Sequence, residues 1–281
     1  MNLIPLLLAL FSAPAWGAAA SSSPVAGCVS SLDLALRTGR TDELRGRLTA
    51  DAVWEDKWGA RGGTGAFVAG LRALSQADLE LPEQGLRWMR LSTFTWLGTG
   101  AAASQKLLAP HRHFVVDLST RTDEAGKCGS VRLYRGARPW PPAPSHDLPP
   151  YTPKKLELTI SGFNGRFGKG DVDGWLALWE PGAEFVSMLG SFRGGEVRTF
   201  FEQQAKRYRE PRMAPARDFT GPEIGGALME GVLSGTCRSS GRPFRMPYLM
   251  LLRYGKEGVR YVYEAFTVAN DGCGPFWTHP R

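Results

Sequence analysis

Apolar residues recur at helical spacing in two places. Val25, Val29, Leu32 and Leu36 advance by four, three and four residues, and Leu156, Ile160, Phe163 and Phe167 do the same. Each set predicts a helix with one buried face. A shift of 131 places, from Val25 to Leu156, carries the first set onto the second. It also carries Gly39 onto Gly170, Asp42 onto Asp173, Ala52 onto Ala183 and Gly59 onto Gly190. One extra residue in the second copy then aligns Arg61-Gly62-Gly63 with Arg193-Gly194-Gly195. Together these matches predict a duplicated unit.

Each copy opens with that helix. Ser23 as N-cap and Pro24 at the first helical position start it in the first copy. Gly39 and Gly170 end it, and Thr41 or Asp171 caps a short second helix over 44–48 and 175–179. A strand is expected over 52–58 and 183–189, then a third helix near 66–74 and 197–208. The remainder reads as antiparallel strands near 86–97, 112–119 and 129–134, and near 226–235, 247–254 and 259–268. A hairpin turn is expected across 253–259. A proline-rich stretch separates the copies. The expected organisation is a leader (1–20), a first domain (21–137), a linker (138–153) and a second domain (154–281). Helices followed by a curved antiparallel sheet give an α+β cone in each copy.

Each copy resembles the NTF2-like superfamily, in its SnoaL-like or ketosteroid-isomerase-like branch. The resemblance rests on residues 39–63, above all the run 48–59. In the second copy it rests on Gly170-Asp171-Val172-Asp173 through Phe192-Arg193-Gly194-Gly195, and on the closing strands 248–268. It implies two cones, each with helices laid over a curved sheet above an apolar pocket. It also implies domains that pair through their sheets. A tandem chain would make that pair within itself, as a monomer with an internal pseudo-dimer.

Composition agrees with this picture. Of 281 residues, 43% are hydrophobic and 22% charged, as in a soluble globular chain of two domains. The formal charge is +7, and its densest cluster, Lys206, Arg207, Arg209 and Arg212, reads as the solvated end of a helix. No Gly-rich phosphate loop or aromatic-interleaved basic motif points to nucleotide or nucleic acid. Residues 3–11 form an apolar run too short to span a bilayer, followed by small residues. They read as an export signal to the periplasm or the medium, and no second spanning segment follows. Val25-Ala26-Gly27-Cys28 also resembles a lipoprotein box, which would place a lipid on Cys28. Four cysteines in an exported chain suggest disulfides. Two fall in each copy, so Cys28–Cys128 and Cys237–Cys273 are expected. No metal or cofactor is expected, and His111 and His113 read as surface residues.

The sharpest candidate for chemistry is Asp56. Alternation along the first strand puts Trp54, Asp56 and Trp58 on one face, which would leave a carboxylate between two indoles. The resemblance implies that Asp56 is a proton-shuttling base and that Asp117 is a second acid. It also implies a tyrosine on the first helix near the position of Leu32, where this chain has none. In the second copy Ser187 stands for Asp56, flanked by Phe185 and Leu189. Glu230 and Glu264 read as outward-facing strand residues. Phe163, Phe167, Trp175 and Trp179 read as core that can double as pocket wall. The leading expectation is a small apolar ligand in a helix-covered pocket walled by Leu32, Trp54, Trp58, Phe163 and Phe185. One alternative is an isomerase, dehydratase or cyclase acting through Asp56 and Asp117. The other is an interaction module presenting an exposed sheet face.

Overall fold

In this computed structural model the described residues are 25–56, 59–75, 86–103, 113–136, 151–221, 224–267 and 272–273. Side chains are described for all of these except 25–26, 59, 73–75, 100–103, 113–119 and 221. Residues 1–24, Trp58, His111 and the linker residues 138–150 lie outside, so the expected leader, the Ser23 cap and most of the linker do too. Asp117 and His113 are placed by backbone only.

The repeat recurs element by element. The N-terminal half contains α1 (Val25–Thr38), α2 (Asp42–Arg45), β1 (Leu48–Asp56), β2 (Gly59–Gly62) and α3 (Thr64–Ser75). Then come β3 (Arg87–Ser92), β4 (Thr95–Ala103), β5 (His113–Thr122) and β6 (Cys128–Gly136). The C-terminal half contains α4 (Pro153–Gly165), a 3₁₀ turn (Phe167–Lys169), α5 (Val172–Leu176), β7 (Trp179–Ser187), β8 (Gly190–Arg193) and α6 (Gly195–Arg207). It closes with β9 (Tyr208–Gly221), β10 (Gly226–Cys237), β11 (Pro243–Tyr254) and β12 (Val259–Phe266).

The expected insertion beside Arg193 is not where the copies part. The unmodified shift carries β1 onto β7, β2 onto β8, and Thr64 onto Gly195, the first residues of α3 and α6. Gly63 and Gly194, just before those helices, both have positive φ, 88° and 53°. Strand pairing keeps the copies in step, with Asp56↔Gly59 and Ser187↔Gly190 closing equivalent hairpins. The shift is one longer across β5 and β11, where Asp117 pairs with Tyr134 and Leu249 with Ala265.

Other boundaries also differ from expectation. The short helices lie earlier, at α2 and α5, and β1 begins at Leu48. Asp171 caps α5 by accepting from the Gly174 N–H (2.7 Å). Thr41 makes no such cap; its Oγ1 instead accepts from Arg72 (3.1 Å). The single strand expected over 86–97 is a hairpin of β3 and β4, turned where Ser92 Oγ accepts from the Phe94 N–H (3.3 Å). Strand β9, which contains Pro211 and Pro215, was not among the expected strands. It lies at the end of the strand order, where a missing N–H is tolerated. Of the basic cluster, Lys206 and Arg207 end α6, while Arg209 and Arg212 belong to β9.

The twelve strands among the described residues share one hydrogen-bonded sheet. Its main path runs β3-β4-β5-β6-β12-β11-β10-β9, with β1 joining β6 and β7 joining β12. These two side pairs are parallel and the rest antiparallel. The halves meet in the ladder at Phe266↔Arg135. Helices with a large antiparallel sheet make the fold α+β.

Apolar burial divides into three clusters. One lies under α1 and α3 and includes Leu32, Trp54, Phe67 and Leu71. One lies under α4 to α6 and includes Phe163, Phe185, Phe200 and Met250. The third is built from both halves, with Met89, Leu91, Leu97 and Tyr134 meeting Phe219, Leu228, Leu249, Leu251 and Tyr263. The sheet face turned away from the helices is therefore covered by the other half.

Both expected disulfides are present, Cys28–Cys128 and Cys237–Cys273, leaving no free cysteine. The first bonds the sulfur on which a lipid would be placed. It closes a span of 100 residues, a cross-link worth ~5 kcal/mol in a chain-entropy account. Among the described residues no helix is long and apolar enough to cross a membrane.

Candidate functional site

Alternation along β12 decides where the site lies. Val262, Glu264 and Phe266 point under the helices, while Tyr263 and Ala265 enter the core shared by both halves. The inward set faces a cavity roofed by Phe163 and Phe167 from α4 and the 3₁₀ turn, and by Phe200, Phe201 and Gln204 from α6. Trp175, Trp179, Phe185 and Ser187 close one side, and Met213, Met229, Met246 and Met250 floor it. The rings brace one another. Centroids are 5.4 Å apart for Phe163 and Trp175, 5.5 Å for Trp175 and Trp179, and 4.7 Å for Phe185 and Phe200. Of the expected ligand contacts, Phe163 and Phe185 lie on this wall.

Among the described residues, Glu264 is the charged one on the wall. It is 8% exposed and has no hydrogen-bond or ion-pair partner among the described residues. Its row across the sheet continues through Met250 and Met229, neither of which answers a carboxylate. Burial alone pushes its pKa up to about 8. The indole N–H groups of Trp175 and Trp179 are buried without acceptors as well. By contrast, Ser187 Oγ accepts from the Leu189 N–H (3.0 Å), and the Thr159 and Tyr254 hydroxyls share a bond (3.1 Å). Burial pushes the Tyr254 phenol up to about 12.

Glu264 does not face outward as its polarity suggests. The end of β12 is buried on both faces, so a strand in the middle of the sheet offers no solvated side. The near-continuous apolar run Val262-Tyr263-Glu264-Ala265-Phe266 was the available signal.

The N-terminal half packs different side chains at the equivalent positions. The repeat makes Leu32 the counterpart of Phe163, Trp54 of Phe185, Gly70 of Phe201 and Leu133 of Glu264. Leu32 and Trp54 have no exposed surface and belong to the N-terminal core, not to the cavity wall. A Cβ on Gly70 would fall 2.4 Å from the Trp54 indole. Glycine there is thus what admits the larger ring.

Asp56 is buried beside Trp54. Its carboxylate accepts from Trp54 Nε1 (2.8 Å) and from Arg61 Nη2 (2.5 Å). Arg135 lies close enough for the Asp56 charge to oppose the lowering of its pKa by burial. The backbone sets Asp117 opposite Tyr134 and Thr99. Its side chain is outside the described set, so no geometry shared with Asp56 follows.

Glu230 is also inward, but on the opposite face of the sheet. It is wholly buried between the halves, where the Tyr134 hydroxyl donates to it (2.9 Å). Arg217 is in contact with it, and Arg132 Nη1 lies 4.0 Å away. Arg132 also donates to Glu55 (2.5 Å). Burial first, then the Glu230 charge, holds the Tyr134 phenol well above its ordinary range. This network joins β1 and β6 to β9 and β10, outside the cavity. Among the described residues no cluster of His, Cys, Asp and Glu could hold a metal ion.

No family model and no curated protein matches the chain. Solved structures resemble parts of it. One is a hypothetical protein with a ketosteroid isomerase-like fold from Catenulispora acidiphila DSM 44928, in complex with trimethylamine. It is 14% identical, covers 43% of this chain and 96% of its own, and has a TM-score of 0.36. An NTF2-like protein from Anabaena variabilis ATCC 29413 is 14% identical over 43% of this chain and 92% of its own, with a TM-score of 0.36. A steroid delta-isomerase from Pseudomonas aeruginosa is 13% identical over 39% of this chain and 77% of its own, with a TM-score of 0.33.

Proposed function

We propose that this chain is an exported tandem NTF2-like protein whose C-terminal half binds a small, mostly apolar molecule. The N-terminal half (21–137) acts as its filled, rigid counterpart. One observation supports this most. The same position is walled by Phe185 around an aromatic and methionine cavity in one half, and plugged by Trp54 against Gly70 in the other. Two disulfides suit an oxidising compartment. A mature chain that pairs its own halves suits a monomer.

N-Phenyl-1-naphthylamine, an uncharged apolar fluorophore, tests the reading. Saturable one-to-one fluorescence enhancement is expected. Phe185→Trp combined with Phe201→Gly, which together copy the plug, is expected to weaken it by about tenfold or more, ~1.4 kcal/mol. A thermal melt checks that the variant folds. No enhancement with the native protein, or equal affinity in the variant, would remove the proposal.

A second reading, an isomerase, dehydratase or cyclase, is favoured by Glu264. A carboxyl that titrates near neutrality can both take and give a proton. This reading puts the transfer on Glu264, since two donors already hold the Asp56 carboxylate. Glu264→Gln is then expected to cut turnover of a carbon-acid substrate by ~10²-fold or more, while Asp56→Asn changes it little. The opposite ranking returns the chemistry to Asp56.

A further inference from the structure

We propose that the ligand of the C-terminal cavity is an organic ammonium ion, a tertiary or quaternary amine with apolar substituents. Its charge would meet Glu264 and its substituents the surrounding rings. This rests on the ligand-binding reading above and names the class of molecule that would fit.

Among the described residues the cavity wall includes no Lys, Arg or His, and the titratable groups on it are Glu264 and Tyr208. No cation pairs with Glu264 from β11, β7 or the helices packed over it. An unpaired buried carboxylate is costly, and its ionised form needs a cation from outside. A hydrated metal ion is a poor candidate, because the wall offers aromatic and thioether groups where a hard cation needs several oxygens. An organic anion would face Glu264 itself. An alkylammonium ion meets both features at once. Aromatic rings on this wall, such as Trp175, Trp179 and Phe201, suit a desolvated cation. Met229 and Met250, in the same row as Glu264, suit its alkyl groups. In the empty cavity the carboxyl retains its proton to about pH 8. Binding of the cation then releases that proton to solvent, and affinity rises with pH.

Choline and its uncharged isostere 3,3-dimethylbutan-1-ol separate charge from shape. Titration calorimetry at pH 6 and pH 9 should show choline binding on the order of 10–100-fold tighter at the higher pH, from the ionised fraction of Glu264. The alcohol should bind with little change. Glu264→Gln should abolish the pH dependence and the preference for choline while leaving the alcohol's affinity intact. Glu264→Asp, which keeps the charge, should retain both. Equal affinity for the two ligands at both pH values overturns the ammonium proposal and leaves the cavity reading standing. Binding of neither, with N-phenyl-1-naphthylamine also excluded, overturns both.

Discussion

Raising the pH from 5 to 9 is expected to lower the stability of this protein by several kcal/mol, and Glu264→Gln is expected to remove most of that loss. The sign follows from burial. The Glu264 carboxyl ordinarily titrates at 4.5 and in the fold at about 8. Between those values the folded chain binds more protons than the unfolded one, so stability falls as pH rises. The contribution is fully present below about pH 4.5 and lost by the time pH passes about 8. A displacement of this size corresponds to on the order of 4–5 kcal/mol. Glutamine keeps the shape and has no charge to desolvate, so the variant should be the more stable protein at pH 9. Urea unfolding of both proteins at pH 5, 7 and 9 measures this. Parallel stability curves for the two would show that Glu264 is hydrated or paired in solution. Bound alkylammonium should flatten the native curve, because it supplies the missing partner.

A large loss from a single substitution is expected at Glu230→Ala, about 3–5 kcal/mol. Truncating one member of a buried charged group leaves the others uncompensated. Tyr134, which is fully buried, would lose its acceptor, and Arg217 and Arg132 their carboxylate. The two guanidinium groups are 30% and 28% exposed. Water can therefore take over part of their solvation, which favours the lower end of that range. Tyr134→Phe should cost about 1 kcal/mol. The double variant should show a coupling of 0.5–3 kcal/mol, since the pair is in direct contact. Additive losses in that cycle would mean that the Tyr134–Glu230 bond does not join the halves energetically. Because Tyr134 also belongs to the apolar cluster shared by both halves, the native chain should unfold in a single transition. Partial decoupling should show first in Glu230→Ala.

Much of the architecture was legible in the chain. The 131-place repeat is written in apolar spacing, and two cysteines per copy gave the observed disulfide pairs. Elements failed to read where a local signal conflicted with position in the sheet. Pro211 and Pro215 break a central strand, but β9 is an edge. Glu230 and Glu264 look like solvent-facing residues, but both faces of their strands are covered. Asp56 stood out because it lies between tryptophans and matches an expected catalytic position. The structure shows those neighbours partly satisfying it, with Trp54 as a donor and Arg61 as a counter-ion.

The sequence by itself determined the duplication, the helices that open each copy with the antiparallel strands that follow, and the inward residues of the first helices. Each of these depends on periodicity within a short segment. Tertiary structure decided where the described cavity lies and which carboxylate on its wall has no partner among the described residues. A cavity is a difference in volume between side chains far apart in sequence, as with Trp54 and Gly70 against Phe185 and Phe201. The burial of Glu230 depends on the arrival of the other half, and that of Glu264 on helices laid over it from far earlier in the chain. No local pattern records such a meeting, because burial is a property of the packed chain and not of a residue's neighbours in sequence.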